Sequence, residues 1–147
     1  MSTSYASDAR DTSPAADAAL LIGRIVLIVM FVFSGVGKFM DIAGTAGYIA
    51  SKGLPMPSVL AAAAGLAEVA GGLMIAIGWQ TRIAALGLLV YTVLAAYFFH
   101  DFWHLPEGGE RMSNMIHFLK NMSIAGAFLM LAGVGPGRFA LDGRSGA

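Results

Sequence analysis

The chain has 147 residues, of which 57% are hydrophobic and 12% charged, with nine Lys and Arg balanced by nine Asp and Glu. Soluble domains carry about 25% charged residues, so this chain lacks the polar surface to cover itself in water and reads as an integral membrane protein forming one small bundle. Zero net charge leaves no basic stripe for nucleic acid, and the lack of cysteine removes disulfides, thiolate metal sites and thiol redox relays.

Residues 1–17, MSTSYASDARDTSPAAD, are rich in Ser, Ala, Thr and Asp with no apolar period and are expected to form a flexible tail. A secretory signal needs a positive start followed at once by an apolar stretch. The acidic, Ser-rich tail argues against one, and the apolar segment after it reads as retained. Residues 18–143 then form the membrane domain. Four apolar runs follow, Ala18 to Met40, Ser58 to Gly78, Arg82 to Phe99 and Asn114 to Gly133. Each is near the ~20 residues a helix needs to cross ~30 Å of hydrocarbon. A closed barrel would require many short alternating segments, which are absent. The expected fold is all-α, a four-helix transmembrane bundle. The punctuation agrees: SKGLPMPS is broken by Pro55 and Pro57, GWQT is a tight hairpin, LPEGGERMS is a polar connection and GVGPGR ends the last run.

Four spans put both termini on one side, with Arg10, Arg24, Arg82, Arg138 and Arg144. The other side holds Lys38, Lys52, Arg111 and Lys120. The bias sets the termini in the cytoplasm and FFHDFWH at the outer face, its rings forming an interfacial aromatic belt.

Charges within the spans point to function or to internal partners, because a charge at mid-bilayer costs about 2.5–3.5 kcal/mol on insertion scales. Glu68 is the deepest. Arg24 lies about two turns inside the first run, so a buried Arg24–Glu68 ion pair is expected, with Gly65, Ala67, Gly71 and Gly72 allowing close helix approach. Such a pair either fixes helix register or does chemistry. At the outer half, Lys38 ends the first helix, His100 and Asp101 end the third, and His117, Lys120 and Asn121 begin the fourth. They reach similar depth and are expected to form one polar pocket, with His100 and Asp101 at its mouth, Lys120 and Asn121 on its deeper wall and Phe102 and Trp103 as a cap. His104 and Glu107 read as solvated loop residues, and Lys38 has the simpler reading of a lysine snorkelling to the headgroups. His100 and His104 have metal-ligand spacing, but a pair alone is no metal site and none is assigned.

The ordered set LLIGRIVLIVMFVFSGVGKF, AEVAGGLMIAIGWQTRIAAL, FFHDFW, FLKNMSIAGAFLML and GPGRFALDG resembles the DoxX family of small four-helix membrane proteins, over about Ala18 to Gly143. The resemblance implies a multi-pass protein of the bacterial inner membrane. The family includes a subunit associated with a quinone-linked oxidase and thiosulfate:quinone oxidoreductase, and members linked to oxidative-stress defence with soluble redox enzymes. The residues carried over are Arg24, Lys38, Glu68, His100, Asp101, Lys120 and Asn121. Three functions are then weighed. One is a quinone-linked oxidoreductase subunit, in which His100 and Asp101 act catalytically by exchanging protons while Lys38, His117, Lys120 and Asn121 bind a quinone. Such a subunit is no complete enzyme alone and needs a partner redox protein for electrons. The second is a non-catalytic scaffold for redox proteins. The third is a small-acid or anion carrier, disfavoured by the lack of an internal repeat. A homo-oligomer is compatible with the Gly- and Ala-rich helix surfaces.

Overall fold

The computed structural model describes residues 13–144. Five α-helices follow in order: α1 (Pro14–Met40), α2 (Ile42–Ser51), α3 (Pro57–Ile77), α4 (Thr81–Phe99) and α5 (Gly109–Val134). Short 3-10 turns lie at Phe102–His104 and Asp142–Arg144, and no strand occurs among the described residues. The four long helices, α1, α3, α4 and α5, are the membrane spans. Their bounds match the four apolar runs closely. The short α2, between the first two spans, was not anticipated.

Local chemistry sets the helix ends. Ser13 caps α1, its side chain accepting from Ala16 N at 3.3 Å, and Pro14 occupies the first turn. The expected tail therefore stops short of Asp17: Pro14 to Asp17 are helical and Asp17 is buried, while residues 1–12 lie outside the described residues. Asp41 ends α1 and caps α2, accepting from Gly44 N at 2.8 Å, which restarts a helix where the apolar period breaks.

α1 packs against α3, and α4 against α5; α3 joins the two pairs through α4, while α2 rests mainly on α3. Phe31, Ile75, Leu88 and Phe128 form the centre of the bundle. A smaller cluster of Ala46, Ile49 and Ala61 seats α2. Outward residues such as Val26 and Phe33, 70% and 82% exposed, suit a surface solvated by lipid.

The α1–α3 contact fixes the register of everything that follows. A Cβ on Gly35 would lie 2.8 Å from Val69 Cγ2 and 2.9 Å from both Glu68 Cβ and the Gly65 carbonyl, so only glycine admits this approach. Going toward the termini, Gly72 lies against Ile28 and Val32, and Gly78 lies against Arg24. The helices are antiparallel, and a residue's partner number falls as its own rises. Arg24 is level with Gly78, ten residues from Glu68 along the chain, or ~15 Å by helical rise.

The end of the bundle that carries the termini is closed by the residues after α5. Arg24 donates to the carbonyls of Pro136, at 2.9 Å, and of Phe139. Asp17 accepts from Arg138 N at 3.1 Å. Asp142 accepts from Gln80 N and Thr81 N at 2.9 and 2.8 Å, capping α4, while Leu141 N and Asp142 N donate to the Ile77 and Gly78 carbonyls. Gly78 is required here twice over: its φ is +73°, and a Cβ would fall 2.3 Å from Ala140 Cβ. Arg82 donates to the carbonyls of Ala132 and Gly133, the open end of α5.

Candidate functional site

The opposite half of the bundle holds a cleft of about 860 Å³. α1 contributes Ser34 and Lys38, and α2 contributes Thr45, Tyr48 and Ile49. α3 presents the small residues Ala63, Ala64 and Ala67, whose short side chains leave the space open. α4 supplies Tyr91, Leu94, Phe98 and Phe99, with His100 just beyond it. The lining is dominated by apolar groups with a few convergent polar ones, as in small-molecule sites.

Behind its polar wall, formed by Lys38 and Tyr91, lies Glu68, which is only 5% exposed and does not itself line the cleft. Lys38 Nζ lies 2.7 Å from Glu68 Oε2 and also donates to Ser34 Oγ at 2.7 Å. The Tyr91 hydroxyl donates to Glu68 Oε1 at 2.7 Å. Both carboxylate oxygens are thus satisfied by groups from two other helices, as a charge at this depth requires.

The expected Arg24–Glu68 pair is therefore corrected. Lys38 is the partner of Glu68, and Arg24 belongs to the terminal end, where it holds backbone carbonyls. The reason is the antiparallel register set at Gly35, which places the last turns of α1 beside Glu68. The Lys38 side chain leans back toward the start of its helix, as Cα–Cβ bonds do, and so reaches Ser34 and Glu68 instead of the headgroups. Tyr91 was missed at the sequence level. A tyrosine within an apolar span, about two turns from the aromatic belt that begins at Phe98, was the available signal.

At the mouth, Lys52 Nζ lies 2.6 Å from Asp101 Oδ1, and Tyr48 and Phe99 rings approach to 5.2 Å, joining α2 to the end of α4. Asp101 also meets His104 Nδ1 at 3.3 Å. Asp101 is thus an anchor for Lys52 outside the lining, and His104, although exposed, has a partner. His100 does line the cleft, and its ring stacks on His117 at 5.1 Å.

Of His100, Asp101, Lys120 and Asn121, expected to share one pocket, only His100 lines this cleft. α5 packs behind α4 and gives no residue to the cleft; Lys120 is exposed, Asn121 is partly buried, and neither lines it, while His117, also exposed, meets the site only through its stack on His100. Shared depth along the helices says nothing about which way a side chain points around its helix. Phe102 and Trp103 likewise pack on Phe118 of α5, at 5.7 and 5.6 Å, instead of capping the cleft.

Outside the spans, partial burial pushes the Asp142 carboxyl up, but backbone N–H groups of Thr81 and Gln80 and the charge of Arg24 outweigh it and hold the carboxyl below its ordinary range.

Comparison with known proteins places these features in a lineage. The chain is 42% identical to inner membrane protein YphA of Escherichia coli (strain K12) over 134 residues, covering 91% of this chain and 95% of that one. It is 37% identical to inner membrane protein YqjF of the same organism over 129 residues, covering 86% and 91%. A more distant likeness, 28% over 123 residues, links 83% of the chain to 36% of the Surfeit locus protein 4 homolog of Schizosaccharomyces pombe (strain 972 / ATCC 24843). No solved structure matches. The four spans and these relatives identify a multi-pass protein of the inner membrane. The sequence profile described as DoxX matches residues 19–101, which hold most of α1 and all of α2 to α4 and with them the whole lining of the cleft, and the chain belongs to the DoxX family.

Proposed function

We propose that the protein is a quinone-binding subunit of a membrane redox system, taking a quinone headgroup into the cleft between α1, α2, α3 and α4. The observation that carries this reading is the Lys38–Glu68–Tyr91 cluster, a hydrogen-bonding wall buried at one side of an otherwise apolar cleft. A quinone has the matching form: a ring with carbonyl oxygens and an apolar tail. His100, which lines the same cleft, exchanges protons with the ligand. Reduction of the bound quinone to quinol takes two electrons and two protons. The chain has no thiol, so the electrons come from a partner redox protein, and oxidative-stress defence is the setting that the family resemblance suggests. The Lys and Arg distribution puts the cleft at the outer leaflet, with the termini cytoplasmic.

The test is to purify the protein in mild detergent, extract it with organic solvent and identify bound lipids by mass spectrometry. A stoichiometric quinone, lost in Lys38→Met, supports the reading. Its absence from both proteins leaves a scaffold for partner redox proteins as the function. A carrier would need access from both faces, and the C-terminal segment seated on Arg24, Ile77 and Gly78 stands across the terminal end.

A further inference from the structure

The donors and acceptors of the polar wall define more than its presence, given the reading that the cleft binds a ligand. A lysine ammonium has three N–H donors. Ser34 Oγ and Glu68 Oε2 take two of those of Lys38, and the side chain lines the cleft, so one remains for a ligand. Tyr91 has a single O–H, committed to Glu68 Oε1, so its oxygen faces a ligand only as an acceptor. Glu68 itself is buried behind both, and its charge cancels that of Lys38 at 2.7 Å. The remaining charged group on the lining is Asp41, exposed at the end of α1 with Oδ1 bound to Gly44 N, and the titratable His100 sits at the mouth.

We infer that the cleft selects electrically neutral amphiphiles bearing an oxygen acceptor, and that Glu68 is the positioning residue that imposes this by neutralising Lys38. An alkanoate carboxylate brought to Lys38 would meet the Glu68 carboxylate one hydrogen bond away in a poorly screened site, and a cationic head would meet the Lys38 ammonium. A carbonyl oxygen meets neither obstacle and takes the free N–H of Lys38. Neutrality of the wall, and not its polarity, is the specificity device.

The experiment compares three probes with tails of nine or ten carbons, decylubiquinone, decanoate and decyltrimethylammonium, binding to the full chain in lipid nanodiscs. The parent should bind decylubiquinone about tenfold or more tighter than either charged probe. In Glu68→Gln the unpaired Lys38 should raise decanoate affinity about tenfold, and in Lys38→Gln the unpaired Glu68 should do the same for decyltrimethylammonium. This reciprocal charge preference is a readout that a purely structural pair would not produce, and either variant suffices if the other does not fold. Parent protein that binds decanoate or decyltrimethylammonium as well as decylubiquinone overturns the inference without any variant. So do folded variants that leave charge preference unmoved, and in both cases ligand binding by the cleft stands. Parent protein that binds none of the three overturns the cleft reading itself, and the inference with it.

Discussion

Lys38 Nζ and Glu68 Oε2 stand 2.7 Å apart although thirty residues separate them, and the pair ties the last turns of α1 to the middle of α3. Breaking it from one side leaves the other charge uncompensated inside the bundle. Glu68→Ala should cost about 3–5 kcal/mol, against about 0–1 kcal/mol for Lys52→Ala in the more accessible Lys52–Asp101 pair. Denaturant unfolding in mild detergent measures the difference, and equal losses would contradict the assignment of Glu68 as the buried member.

Tyr91→Phe removes one donor to Glu68 Oε1 while keeping the ring. The orphaned carboxylate oxygen should lower stability by about 1–3 kcal/mol, without loss of the helical content seen by circular dichroism. A neutral result would mean that another donor takes the place of the tyrosine.

Gly35 and Gly23 offer a paired test of the α1–α3 register. Gly35→Ala forces a Cβ against the Gly65 carbonyl and Glu68 Cβ, so about 1–3 kcal/mol should be lost, whereas Gly23→Ala has open space around it and should be neutral. Folded yield and melting temperature in detergent report both.

The Asp142 cap on α4 should be acid-sensitive. Its folded carboxyl titrates below the unfolded one, so its stabilisation is fully present above the unfolded carboxylate pKa and is lost as pH falls through the folded value. Protection of the Gln80 and Thr81 amides, taken as the ratio of intrinsic to observed hydrogen exchange at each pH, should therefore fall on acidification in the parent, and Asp142→Asn should show less of this pH dependence. Arg24→Met should also loosen residues 136–142, read as faster proteolysis there, because two carbonyls lose their donor.

His100 and Lys120 separate the cleft from the outer face of α5. His100→Ala should reduce retention of a quinone in the cleft several-fold, while Lys120→Ala should leave it unchanged, since His100 lines the cleft and Lys120 does not. Quantifying co-purified quinone in each variant decides it; equal losses would return α5 to the site.

Composition and hydropathy determine the solvent, the number of spans and nearly all their bounds, because in lipid every backbone group must be satisfied within its own helix and the apolar length of a segment is enough to define it. The charged residues that need partners are legible for the same reason: Arg24, Lys38 and Glu68 stand out against an apolar background. What the sequence leaves open is which residues meet. A one-dimensional reading supplies depth, and depth suggested Arg24 for Glu68 and Lys120 for the cleft. The close approach at Gly35 sets an antiparallel register that puts Lys38 beside Glu68 and Arg24 ~15 Å away at Gly78. The packing of α5 behind α4 leaves Lys120 exposed and off the cleft, and brings His117 no nearer than a stack on His100. Register and azimuth depend on how side chains of different helices interlock, and only the packed tertiary structure decides that.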